Sequence, residues 1–435
     1  MRASRRWIVA AIAAGFVLRV AFALCYWVGQ PLTHDEREYL ALARSVARGD
    51  GFVYPADEPV EGPAQRFGRA PGYPLFLAML GVTERVDVVP MRVKIAQSAV
   101  GALGVWLIAL MAGRAGGARA AVAAAAIAAV YPPLVFMPAY ALSETVYSTV
   151  ALAAAWALGT VTVTVPAPER GTVTLSESSA RAPVTLPLPP VSVTVPLSGA
   201  ALTGVGILIR PALLLFVPVY AAWLLRRRRV AAACLFTLIA LAVVAPWTVR
   251  NLRVYGRFVL VASEGGVTFW TGNHPLARGE GDLAANPDLK RAELEFRRQH
   301  ADLTPEAREP LYYRDAFAWI RAHPLPWAAL LARKAFYAVV PIGPSYTLHS
   351  TKYVIASAGA YLVLLPAALV GAVRLRPDRA PAALWLMAAS TVLVSMLFFP
   401  QERFRIPVID PALIVSAATL AALRSHEHTG RRPDV

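Results

Sequence analysis

The sequence predicts an all-α polytopic membrane protein, and three observations carry that prediction. Of 435 residues, 57% are hydrophobic and 16% charged, with a mean hydropathy of +0.50; a water-soluble chain of this length needs more polar surface. Several apolar runs approach or exceed the roughly 20 residues that cross a bilayer as helix. The charges are also sorted along the chain. Arginines gather between apolar runs, at 2–6, 114–119, 226–229, 374–379 and 424–432, whereas 19 of the 27 Asp and Glu lie in residues 30–91 and 250–350. Arginine-rich segments stay in the cytoplasm, so both termini are expected inside a cell inner (plasma) membrane and the two acidic loops outside. The formal charge of +16 then reflects topology, and no nucleic-acid partner is expected.

The first run, residues 7–28, is too long for a signal-peptide core and lacks an A-x-A cleavage pattern, so it reads as a retained span. A first outer loop, 29–91, follows. Within it 36–48 has helical periodicity, with Tyr39, Leu40, Ala43, Val46 and Ala47 on one face and Arg37, Glu38, Arg44 and Arg48 on the other. Such a helix is expected to lie flat in the interface, ended by Gly49 and Gly51. Residues 74–82 are too short to span and read as a half-helix. Residues 92–111 cross inward to a Gly/Arg segment, 113–119, after which 120–136 and 141–158 form a hairpin loosened by Pro132, Pro133 and Pro138.

Residues 161–197 change character to Thr, Val and Pro. The alternation could pair as strands, but the prolines oppose a regular sheet, and an irregular cytoplasmic linker is expected. Residues 197–225 are apolar except Arg210-Pro211. A mid-membrane charge is expensive, so this stretch reads as a hairpin with Arg210 near the outer surface. Residues 230–248 cross outward and end in APWTVRN. The second outer region, 250–350, holds a Gly-rich turn (SEGGVTFWTGNHP), charged helices between 287 and 323, and an interfacial apolar segment, 327–340. Helices at 353–373, 380–398 and 406–423 close the chain, for ten or eleven spans.

Candidate chemistry lies at the outer ends of these spans. Asp35 and Glu36 follow the first span directly, where a carboxylate can act as general base toward an attacking hydroxyl; equally, acids there can cap the helix that follows. Arg69, Arg250, Arg403 and Arg405 stand at three outer membrane boundaries, and a guanidinium at the interface suits a phosphate through paired N–H donors. Tyr73, Glu264, Trp270 and Asn273 are candidate pocket residues. His34, His274 and His349 could join Asp35 or Glu264 at a divalent cation, but their spacing supports no metal site and no cofactor is demanded. Cys25 and Cys234 lie in apolar runs and form no zinc pattern.

An ordered set of motifs completes the reading: HDEREYLALA, RAPGYPLFLA, ALSETVY, LIRPALLL, PWTVRNLRVYGRFVLVASEGGVTFWTGNHP and QERFRIPVIDPAL. In this set the chain resembles the GT-C membrane glycosyltransferases of the family 39 type, the kind that includes protein O-mannosyltransferases and lipid A aminoarabinose transferases. The resemblance implies the GT-C fold, a polyprenyl-phosphate sugar donor, a protein, lipid or glycan acceptor, and an active site on the outer face. It implies that Asp35 is the first-loop catalytic acid, with Glu36 beside it, and that Arg69 contacts the lipid phosphate. The long Thr/Val/Pro tract and Glu38, where some relatives carry a basic residue, depart from the pattern. The alternative is a transporter or lipid flippase, which would place ionisable residues along a path through the membrane; here the charges gather in the outer loops and no internal repeat is visible.

Overall fold

A computed structural model describes residues 2–55, 68–160, 164–165, 193–194, 197–344, 350–375 and 381–422. Most of the Thr/Val/Pro tract, His349 and the basic residues Arg376, Arg379, Arg424, Arg431 and Arg432 lie outside the described residues. At the edges of that tract Thr164–Val165 pairs antiparallel with Val193–Thr194.

The rest is helical. α1 (Arg2–Ala21) runs through a π turn (Phe22–Tyr26), and the continuous apolar stretch Ser4–Tyr26 is long enough to cross a membrane, as are Met91–Val130, Val230–Tyr255 and Thr351–Arg374. The chain is a multi-pass membrane protein. Arg19, buried in the first span, donates to the carbonyls of Gly15, Ala128 and Ala129; the last two sit at a helix C-terminus, whose free carbonyls and negative dipole end suit a cation.

α2 (His34–Arg48) and α3 (Gly72–Met79) form the first loop, followed by α4 (Met91–Val130). α4 is two helices. Gly117 has φ +79°, and a Cβ on Gly113 would lie 3.2 Å from the Ala121 methyl, although residues eight apart along a straight helix are separated by about 12 Å. The chain therefore reverses at the Gly/Arg segment. α5 (Pro132–Phe136) is one turn, and α6 (Glu144–Thr160) is buried on nearly all sides.

α7 (Leu197–Ile209) ends at Arg210, whose extended backbone begins a 3-10 turn leading into α8 (Phe216–Arg226) and α9 (Val230–Tyr255). α7 packs on α6 and α9, and α8 on α9. α10 (Gly265–Gly272), α11 (Pro287–Gln299), α12 (Pro305–Ala322) and α13 (Pro324–Val339) make the second loop region; α14 (Thr351–Arg374), α15 (Ala382–Leu397), α16 (Glu402–Arg405) and α17 (Ile409–Ala418) close the bundle. Phe269, Trp270, Leu289, Tyr312 and Ala316 form a small core separate from that of the bundle.

Two expectations change. α2 does not lie with its polar face in water: Glu38 is 8% and Arg44 2% exposed, because α3 packs on the helix and residues 84–87 line a pocket with Arg37 and Arg44. The SEGGVTFWTGN stretch is a helix, not a turn. Its glycines serve close approach, since a Cβ on Gly272 would meet the Phe398 carbonyl at 2.0 Å.

Candidate active site

The site is built outward from the start of α2. Thr33 and Glu36 form a capping box: the Glu36 backbone N–H is bonded to the Thr33 hydroxyl, and the Glu36 carboxylate accepts from the Thr33 N–H at 2.8 Å. The other Glu36 oxygen accepts from Ala141 N–H at 2.9 Å. Glu36 thus closes the helix start and ties it to the segment preceding α6. Asp35, beside it, points elsewhere. Its Oδ1 accepts from Arg69 Nη2 at 2.7 Å, and its Oδ2 lies 2.6 Å from Arg403 Nη1.

Arg69 is the hub. Its Nε donates to Glu38 Oε2 at 2.7 Å, its Nη1 lies 3.4 Å from Glu264 Oε2, and its guanidinium stands 5.3 Å from the centre of the Tyr39 ring. Asp35 and Glu38 both reach it because residues three apart share a helix face. His34 Nε2 sits 3.4 Å from the far oxygen of Glu38. On the other side Arg403 approaches Glu144 at 3.7 Å, and Glu144 pairs with Arg210 at 2.8 Å. Both of these arginines flank the Phe404 ring. One continuous network therefore contains Asp35, Glu38, Glu144, Glu264, Arg69, Arg210 and Arg403. Its floor is Glu144, with a side chain 2% exposed, and its open side is Glu264 and Arg403, at 38% and 31%.

Electrostatics separates the acids. Burial alone would raise Asp35, but the Arg69 and Arg403 guanidiniums hold its carboxyl well below the usual carboxylate range. Glu38 is likewise lowered: burial is outweighed by hydrogen bonds from His34 and Arg69. Glu264 moves the other way, raised by burial against the pull of Arg69, with Glu38 and Asp35 adding to the rise. Behind it burial pushes Glu309 up to about 7, even though Gly266 N–H donates to it. Asp35 and Glu38 stay ionised at neutral pH, while Glu264 and Glu309 are easier to protonate.

The remaining sequence candidates stand apart from this network. Arg250 braces the end of α9, donating to the Phe52 carbonyl at 3.3 Å and the Tyr255 hydroxyl at 3.1 Å and stacking on Trp247. Arg405 is 3% exposed and pairs with Asp410 at 2.9 Å over the Tyr361 ring. Tyr73 is buried one ring behind the site, edge-on to Tyr39 and donating to Gln97 at 2.9 Å. Trp270 donates to Asp315 at 2.6 Å. Asn273 is wholly buried, accepting from Trp327 and Lys334 and donating to the Phe269 and Leu397 carbonyls, which is nearly all that an amide can do.

Sequence reasoning assigned no role to three members of the network. Glu38 was grouped with a solvated face. Glu144 and Arg210 lie in quoted motifs, and the signal that could have found them is an arginine within an apolar stretch, which needs an acid partner.

No protein-family model matches the chain, and no curated protein matches it significantly. Solved structures do. The Archaeoglobus fulgidus oligosaccharyltransferase tethered with an acceptor peptide containing the NVT sequon superposes with a TM-score of 0.53 and 13% identity, over 98% of this chain and 50% of that one. The same archaeon's oligosaccharyltransferase AglB, in complex with an inhibitory peptide and a dolichol-phosphate, gives 0.50 and 12%, over 99% and 53%. ArnT from Cupriavidus metallidurans in the apo state is a looser likeness, at 0.41 and 16%, over 96% and 77%. The chain spans about half the length of the archaeal enzymes. A further structure of the archaeal enzyme holds Zn and sulfate; here, among the described residues, no group of three His, Cys, Asp or Glu is placed for a metal ion, and Asp35, Glu38 and Glu264 converge on Arg69 instead. At such identity the likeness speaks for architecture alone, and the architecture of this chain is the GT-C fold.

Proposed function

We propose that the chain transfers a sugar from a polyprenyl-phosphate-linked donor to a protein, lipid or glycan acceptor at the outer face of the cytoplasmic membrane. The observation that carries this reading is Asp35 held between Arg69 and Arg403, with its side chain 20% exposed, where loop residues meet apolar helices. The AglB structure with a dolichol-phosphate supports a lipid phosphate as the donor's anchor. The distribution of charge supports this orientation. Arg226 to Arg229 lie at the end of α8 away from Arg210, and Arg114 and Arg119 flank the Gly117 turn, so the network sits opposite the arginine-rich ends, which stay in the cytoplasm.

The donor lays its lipid along the helices and its phosphate against Arg69 and Arg403. Arg250 and Arg405, held by other partners, support the framework; Glu36 positions Asp35. The acceptor O–H or N–H attacks the anomeric carbon, its proton passes to Asp35, the bond from that carbon to the phosphate oxygen breaks, and polyprenyl phosphate leaves with the electron pair. The guanidiniums stabilise the charge that builds on the leaving phosphate.

In the free protein a carboxylate held by two guanidiniums is a weak base. The donor changes this. Its phosphate competes for the same N–H donors, so binding loosens Asp35 from its partners and raises its proton affinity. The acid limb of kcat, which reports the donor-bound enzyme, then lies at higher pH than that of kcat/KM, which reports the free enzyme, by about 1 to 3 units, the effect of an opposite charge. Profiles measured from pH 3 to 7 are expected to show an acid limb in kcat and none in kcat/KM; the same limb in both would rule the mechanism out.

Transfer itself is tested with the purified protein in vesicles, given a polyprenyl phosphate bearing a radiolabelled hexose or pentose and an envelope extract as acceptor. The expected result is label in the acceptor with an equal amount of polyprenyl phosphate released. Label that crosses the bilayer still joined to its lipid would mark a flippase.

A further inference from the structure

A second site lies less than two helical turns from the arginine–carboxylate network. Glu264, at the start of α10, touches Arg69; Trp270, six residues later and about 9 Å along the helix, forms part of the wall of a cleft of about 620 Å³ between α11 and α12. That wall is a row of four rings, His274, Trp270, Phe296 and His300, with successive centroid distances of 4.3, 5.4 and 4.5 Å. The rings are tilted against one another by 51°, 49° and 31°, and the facing helix presents Arg314, Asp315 and Ala318.

The polar groups of this cleft are diverse, with two carboxylates, Glu295 and Asp315, to one guanidinium, Arg314. Leu276 N–H donates to His274 Nδ1, which in the neutral ring leaves the proton on Nε2. His300 Nδ1 faces the Phe296 carbonyl at 2.9 Å, so its proton is on Nδ1 and Nε2 is an acceptor. One histidine therefore offers a donor and the other a lone pair. Arg314 supplies a donor fork, Asp315 an acceptor, and Gln299 both. Such an array suits a neutral ligand with apolar patches and a rim of hydroxyls, since the ring edges that line the cleft pack against the patches while convergent polar groups read the rim. A phosphorylated or sulfated ligand would meet Asp315 and Glu295 beside the single Arg314.

We infer that this cleft binds a neutral saccharide and seats the glycan part of the acceptor beside the reaction centre. The word acceptor rests on the proposed transfer reaction; saccharide binding does not.

The test reads binding alone. Trp270 and Phe296 also build the core of their domain, so the informative variants are at exposed positions on the cleft: Ala318→Trp, which fills it, and Gln299→Leu, which removes a polar contact. Full-length protein in detergent is applied to an array of neutral oligosaccharides, phosphorylated and sulfated oligosaccharides, and unmodified peptides. Wild type and Asp35→Asn are expected to retain the same neutral oligosaccharides, and both cleft variants to lose at least about tenfold in affinity, the worth of one or two hydrogen bonds. Retention of no neutral oligosaccharide, retention of anionic sugars or peptides in their place, or full retention by folded Ala318→Trp overturns the inference. If Ala318→Trp does not fold, Gln299→Leu decides. Because no transfer is measured, failure here leaves the proposed reaction standing, and a catalytically inert wild type that still binds sugar would overturn only the latter.

Discussion

Asp35→Asn is expected to lower kcat for sugar transfer by about 10²- to 10⁴-fold, the contribution of a positioned general base, while tightening the binding of polyprenyl phosphate. The two effects have one cause. The carboxylate holds Arg69 Nη2 at 2.7 Å and Arg403 Nη1 at 2.6 Å, so in the free protein it occupies the donors that the phosphate needs. Asn keeps the shape but loses the charge, and its amide offers one acceptor in place of two. Competition for the guanidiniums falls, and lipid phosphate should bind roughly tenfold more tightly, the equivalent of one charge-assisted hydrogen bond. Titration with the lipid phosphate and single-turnover transfer measure the two quantities separately. Weaker binding together with slower transfer would instead mark Asp35 as a structural support of the arginines, and transfer within tenfold of wild type would remove it from the reaction.

Arg403→Ala carries the second large effect, a loss of about 10²- to 10³-fold in kcat, typical of removing one donor that faces developing charge. Arg403 is the better test of the two arginines because its side chain is 31% exposed and its partners Asp35 and Glu144 retain Arg69 and Arg210. Arg69 contacts three carboxylates, and its removal would confuse folding with catalysis. Arg403→Lys restores the charge without the planar fork, so its rate should fall between wild type and Ala. Thermal unfolding of each variant separates a stability effect from a loss of transition-state stabilisation. A rate for Arg403→Ala equal to wild type would place the leaving phosphate elsewhere.

Much of this site was legible before any coordinates. Asp35 follows an apolar span, Arg69 precedes a Pro/Gly re-entry and Arg403 precedes the last apolar stretch, so each could be assigned to one side of the membrane from local hydropathy. The same reasoning applies equally to Arg250 and Arg405, which stand at similar positions relative to their spans in the sequence but face other partners. Position relative to a span gives depth and says nothing of azimuth around the bundle. Trp270, a pocket candidate in the sequence, faces a separate cleft at the far end of a short helix. Glu36 had two readings, base or cap, and the capping box with Thr33 shows which one its side chain adopts.

The amino-acid sequence by itself determined the class of the protein, the membrane helices and which loops carry the charge. These are local consequences of hydropathy over about 20 residues and of the arginine bias between spans. Only the tertiary structure decided which charges meet. Asp35, Glu144, Arg210, Glu264 and Arg403 come from five distant segments, and their convergence depends on how α2, α6, the end of α7, the start of α10 and α16 are brought together. In a low-dielectric interior a buried charge must find a partner, so Arg210 required an acid. The sequence contains several acids at suitable depth, and helix packing selected Glu144.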